Sequence, residues 1–181
     1  TASPPPGDDA ALRVTASPPS GVAGAPRATA GRAGSRGGYV VVHPGASVPA
    51  RSCPLETVQA IVAALAAEGH EVLITGGPGE RDLVEACVAA GGTDAGRRSL
   101  GELASLLAGA SCLVVANTGP AHLAAAVGTP VVSLFAPTVP FGQWGPYRVP
   151  VVRLGDPAAA CRDTRATTCP VARHPCLTGI T

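Results

Sequence analysis

The sequence predicts an α/β domain: a Rossmann-like three-layer sandwich with a parallel sheet covered by helices on both faces. Two observations carry this expectation. The apolar runs YVVVHPG, HEVLITGG, CLVVANTG, PVVSLFAP and VPVVRL are short and rich in β-branched residues, with no alternation, as in strands buried on both faces. Between most of them lie stretches with apolar residues at helical spacing, and alternation of strand with helix builds a parallel sheet. With 46% apolar residues and only 3% aromatics, the core has to be aliphatic.

In chain order, residues 1–38 are rich in Pro, Gly, Ala and Ser and lack apolar periodicity. They read as a linker or disordered arm. The chain starts at Thr1 and shows no apolar segment of a secretory signal there, so the expectation is a fragment of something longer, with no leader. Residues 39–181 form the ordered domain. Its first strand closes on Pro-Gly, a turn. From 54 to 68, Leu55, Val58, Ile61, Val62 and Leu65 recur at helical spacing; Pro54 suits a first helical position and Gly69 an end. A strand follows over 70–77, then a helix over 80–92 with acidic residues at its start. Ser99 with Glu102 three residues on forms a capping box that opens a third helix. A strand from Cys112, a short helix from Pro120, a strand over 130–137 and a last one over 149–154 complete the order. Ligands in such sheets lie at the carboxyl ends of the strands, so the turns 43–53, 75–80, 117–122 and 136–147 should converge.

Composition excludes several classes. A net charge of +1 argues against nucleic acid as a partner and against electrostatic membrane binding. No run of 18 apolar residues occurs; the longest candidate, 123–137, is cut by Gly128, Thr129 and Pro130. No two of the six Cys form CxxC. Cys87 and Cys112 fall in apolar patterns and read as core thiols, reduced in a cytoplasmic protein. Cys161, Cys169, Cys176 and His174 are candidate zinc ligands, but the gaps of seven and six residues between the thiols do not suit a compact zinc module. No metal or other cofactor is expected.

Three turns could carry chemistry. Asn117-Thr118-Gly119-Pro120 leads from a buried strand into a helix, with Ala121 and His122 in its first turn. Free amides and the dipole at a helix start favour an anion by roughly 0.3–1 kcal/mol; the alternative is an ordinary strand-to-helix connection. The turn after the first strand, His43 to Ser47, is open enough to cradle phosphate, with Arg51 supplying charge; otherwise it is a turn with a solvated Arg. The segment Thr75-Gly76-Gly77-Pro78-Gly79-Glu80 places an acid after the second strand, where dinucleotide folds bind a ribose. Such an acid also answers a helix dipole. No nucleophile–base pair is legible. The residues alone point to a nucleotide or sugar-phosphate binder.

In one order, HPGAS, RSCPLE, ITGGPGE, SLGELASLLAGASCLVVANTGPAHLAAAVGTPVVSLFAPTVP and the tail ending CLTGIT resemble the C-terminal half of glycosyltransferase family 9, the ADP-heptose:lipopolysaccharide heptosyltransferases. The resemblance covers residues 39–181. It implies the C-terminal domain of a GT-B glycosyltransferase, which holds a nucleoside-diphosphate sugar, while an N-terminal domain holds a glycan or glycolipid acceptor and the catalytic base. It implies an inverting, metal-independent transfer in cell-envelope glycan synthesis, cytoplasmic or peripheral at the inner face of the membrane. Arg51 stands where the family carries a Lys on the donor phosphates. Ser47, Thr118, Gly119, Pro120, Ala121 and His122 fall in the phosphate-binding turns, and Gly77 and Glu80 at the nucleoside and its ribose. Asn117 replaces an Asp that faces the donor sugar; Asn accepts a hydrogen bond but carries no charge and also donates. Two other readings stay open: a non-catalytic nucleotide-binding Rossmann module, and an NAD-dependent reductase, against which stands the lack of GxGxxG after the first strand.

Overall fold

The computed structural model describes residues 38–180; apart from Gly38, the arm expected over residues 1–38 lies outside them. Six strands, β1 (Val40–His43), β2 (Val72–Ile74), β3 (Thr93–Asp94), β4 (Cys112–Ala116), β5 (Val131–Leu134) and β6 (Val151–Leu154), form one sheet in the order β3-β2-β1-β4-β5-β6. Every pairing is parallel. Four helices connect them: α1 (Leu55–Ala67), α2 (Arg81–Ala89), α3 (Leu100–Gly109) and α4 (Gly119–Ala126). Two single-turn helices, α5 (Phe141–Trp144) and α6 (Pro175–Thr178), lie later in the chain, and a 3₁₀ turn spans Pro49–Arg51. The expected sandwich is present. Its strand order reverses between β1 and β4, the place where such sheets open a crevice.

Alternate residues of the central strands β1, β4 and β5 feed two cores, which is why they read as unbroken apolar runs. Val40, Val42, Val72, Ile74, Val114 and Leu134 pack with Val58 and Val62 of α1 and with Val84 and Cys87 of α2. On the other face Val41, Leu113, Val115 and Val131 pack with Leu107 of α3 and with Ala121 and Ala124 of α4. Burying each such Val or Leu side chain contributes about 1.5–3 kcal/mol.

The helix signals work locally. Glu102 N donates to Ser99 Oγ at 3.3 Å, and Glu102 Oε2 accepts from Ser99 N at 2.7 Å, so the capping box is formed. Pro54 is the residue before α1 rather than its first, and Gly69 beyond its end takes the left-handed conformation, φ +83°. The sequence gives no sign of β3, because both of its residues are exposed. The C-terminal segment folds back: Cys161, Cys176, Ala159 and Leu177 join Cys53 in the core beside α1 and α2. Two of the three tail thiols are therefore core residues. Cys112 is only partly buried.

Candidate functional site

β1 ends on His43, which is 8% exposed. Its Nδ1 lies 3.2 Å from Thr75 Oγ1, just past β2, and its Nε2 lies 3.5 Å from Glu80 Oε2. Glu80 stands immediately before α2 but does not cap that helix. It turns back and accepts the Gly77 amide at 2.5 Å. Gly45 makes room for it, since a Cβ on Gly45 would overlap Glu80 Oε1. The turns after β1 and β2 thus meet on one carboxylate.

Burial holds His43 below its usual pKa of 6.5, and the opposing pull of Glu80 is the smaller effect. The imidazole is therefore neutral at neutral pH. A histidine whose folded pKa is depressed binds its proton more readily in the unfolded chain, so stability rises with pH across the interval between the two values. The expected result is full stability above pH about 6.5 and a loss as pH falls below it. His43→Gln should flatten that slope in urea unfolding followed from pH 8 to pH 5; an unchanged slope would exclude His43 as its source.

Arg51 ends the 3₁₀ turn. Its guanidinium carbon is 5.1 Å from the ring centroid of Trp144 on α5, and its Nε is buried without an acceptor. The turn is held from the far end of the chain: Ala50 N donates to Thr167 O at 2.9 Å, and His174 Nε2 lies 3.0 Å from Ala50 O. The Arg51–Trp144 stack joins the turn after β1 to the loop after β5.

The turn after β4 lies between those two, because β4 pairs with β1 and β5. Asn117 is 4% exposed and its Nδ2 has no partner; a buried donor left so costs about 1–3 kcal/mol. Thr118 precedes α4 in extended conformation without capping it through its side chain. Not every expected amide is available. Pro120 has none, and Ala121 N donates to Thr118 O at 3.1 Å while its side chain is buried. Thr118 and Gly119 supply the remaining amides of this turn. A Cβ on Gly119 would meet nothing within 4 Å, so the approach is open. His122 and Ser47 are exposed.

Four residues of this edge fall in the candidate turns but are given no role of their own by the sequence reading: His43, Thr75, Trp144 and Thr138, whose buried Oγ1 lacks a partner. A polar residue closing an apolar run is the signal for His43, and the chain's one Trp is the signal for Trp144. Within the Cys tail, the Cys176 thiol is pushed up to about 12, first by burial and then by neighbouring Cys161 and Cys169. Among the described residues no three His, Cys, Asp or Glu side chains are arranged to hold a metal ion.

A family model described as glycosyltransferase family 9 (heptosyltransferase) matches residues 20–173. The chain belongs to glycosyltransferase family 9. The family 9 chain is 37% identical over 115 residues to lipopolysaccharide heptosyltransferase 3 of Escherichia coli, covering 59% of this chain and 33% of that protein. It is 48% identical over 67 residues to lipopolysaccharide heptosyltransferase 1 of Pseudomonas aeruginosa, covering 36% of this chain and 19% of that one. It spans a third or less of the length of these curated relatives. Among solved structures it resembles E. coli heptosyltransferase WaaC with ADP, with a TM-score of 0.59 and 26% identity over 66% of this chain and 38% of that one. The E. coli ADP-heptose lipopolysaccharide heptosyltransferase II gives a TM-score of 0.56 and 27% identity, covering 67% and 40%. The Rossmann-like sheet of the family 9 chain is thus shared with GT-B heptosyltransferases.

Proposed function

We propose that this family 9 chain binds a nucleoside-diphosphate sugar, ADP-heptose or a relative of it, as the donor half of an inverting glycosyltransferase. The observation that carries the reading is the set of groups brought to the β1/β4 reversal. There Glu80, held by Gly77 and admitted by Gly45, faces the same sheet edge as the unspent Arg51 Nε and the start of α4. In this reading Glu80 accepts from the ribose hydroxyls beside Gly77. Arg51 and the Thr118 and Gly119 amides take the diphosphate, with Ser47 and His122 at the open rim. Asn117 Nδ2 donates to a hydroxyl of the donor sugar.

The acceptor hydroxyl attacks the anomeric carbon. The bond from that carbon to the diphosphate oxygen breaks, and its electron pair leaves with the nucleoside diphosphate. Arg51 and the α4 amides meet the growing charge, which is electrostatic stabilisation by groups already in place, and the reading calls for no metal or other cofactor. The base that takes the hydroxyl proton and the glycan or glycolipid acceptor belong to an acceptor domain that this reading places outside residues 39–181, with the reaction at the inner face of a membrane. Accordingly the chain by itself binds donor and transfers no sugar.

Calorimetric titration with ADP, UDP, GDP and NAD tests this. The expected result is saturable ADP binding, weakened about tenfold or more in Arg51→Ala, the loss of one charge-assisted contact. NAD bound more tightly than ADP would turn the reading to a reductase. Binding of no nucleotide would remove it, and sugar transfer by the isolated chain would contradict the donor-half assignment.

A further inference from the structure

A cleft of about 250 Å³ lies beside the loop after β5, lined in part by Pro137, Phe141, Arg153, Arg162 and Asp163. Arg153, on β6, is wedged between two rings: its guanidinium carbon is 5.1 Å from the centroid of Phe135 and 5.0 Å from that of Phe141. The rings meet edge-on, 4.9 Å apart. This fixes the cation without neutralising it. Among the described residues Arg153 has no ion pair, and its Nε is buried with no acceptor. A second cation, Arg162, lines the same cleft. Burial first, and then the charge of Arg162, hold Arg153 below its usual pKa. The one carboxylate lining the cleft, Asp163, pairs with Arg162 at 3.2 Å. The cleft therefore carries one positive charge more than it neutralises.

Its rim is preformed. Asp163 N donates to Pro137 O and Arg165 N to Thr138 O, each at 2.8 Å. Both donors are left-handed, φ 58° and 54°, a conformation that non-glycine residues adopt only where their surroundings hold them. We propose that this cleft is an oxyanion site for a phosphate group, gripped by the Arg153 and Arg162 guanidinia. Its volume falls below that of ordinary ligand pockets, which suits a phosphate group and not a whole nucleotide, and guanidinium forks match tetrahedral oxyanions. Although α5 touches both Arg51, through Trp144, and Arg153, through Phe141, Arg51 is not among the residues lining the cleft. The cleft thus shares α5 with the proposed donor site but not its cation.

The test titrates the 181-residue chain with inorganic phosphate, and separately with malonate, in an Arg51→Gln background that removes the cation of the donor crevice. Saturable phosphate binding is expected there, weakened about tenfold or more by Arg153→Gln and by Arg162→Gln. Arg162 is exposed, so its variant decides the matter if the Arg153 variant fails to fold. Loss of phosphate binding in Arg51→Gln alone, or equal binding with and without Arg162, would overturn the site. Malonate bound more tightly than phosphate would overturn the phosphate assignment.

Discussion

Gly155→Ala is expected to destabilise the fold by about 3 kcal/mol or more, combining backbone strain with overpacking. Gly155 follows β6 with φ +114°, and a Cβ there would lie 2.9 Å from Phe135 O, 3.0 Å from Cys176 O and 3.1 Å from Leu177 Cδ2. Two of these three neighbours are main chain, and both segments are tied. Phe135 N donates to Leu154 O at 2.9 Å, and Asp156 N to Cys176 O at 2.9 Å. Neither segment can withdraw without stretching the bond that joins the ends of β5 and β6 or the one that seats the tail beside them. Gly69→Ala is the control, because Gly69 also has positive φ, +83°, but a Cβ there meets nothing within 4 Å. That variant should lose only about 1–2 kcal/mol. Urea midpoints at equal slope measure both; equal losses would mean that conformation, not contact, governs Gly155.

The second large effect is on binding. Gly45→Ala should weaken ADP about thirtyfold or more, since a carboxylate accepting ribose hydroxyls makes charge-assisted bonds of about 1.5–3 kcal/mol each. Gly45 does not have positive φ, so alanine costs little in backbone conformation. The cost arises where the new methyl would overlap Glu80 Oε1 and push the carboxylate off the Gly77 amide. Glu80→Ala should show the same loss, and the double variant no more than Glu80→Ala alone, because there is then no carboxylate left to displace. A double variant that loses both effects in full would assign the role of Gly45 to the loop itself.

The sheet was legible because its central strands are buried on both faces and show it as unbroken apolar runs; α3 was legible because Ser99 and Glu102 satisfy each other within three residues. Arg51, Glu80 and the Asn117 turn could be singled out by their positions after strands. What could not be read is what depends on distant partners. Glu80 looks in sequence like an acid answering the dipole of α2; only the packing of Gly45 and His43 against it shows the carboxylate turned the other way. The amide of Ala121 is already taken by Thr118, which a motif cannot reveal. β3 has no apolar face to betray it. The tail reads as polar, yet it buries two of its thiols against α1 and α2.

Those tail contacts bear on the order in which the protein becomes competent. The turn that carries Arg51 is clasped at Ala50 by Thr167 and by His174, the latter 124 positions later in the sequence. At roughly 5–20 residues per second of synthesis, about 6–25 seconds separate the two ends of that clasp. β1 precedes Ala50, and strands β2 to β6 are all made before His174, so the nascent chain passes through a stage in which the sheet can assemble while the turn carrying Arg51 still lacks its tail clasp. A ribosome-stalled chain ending near Leu154 should therefore protect its strands from protease yet remain cleavable at Arg51, and completion of the tail should close that cut.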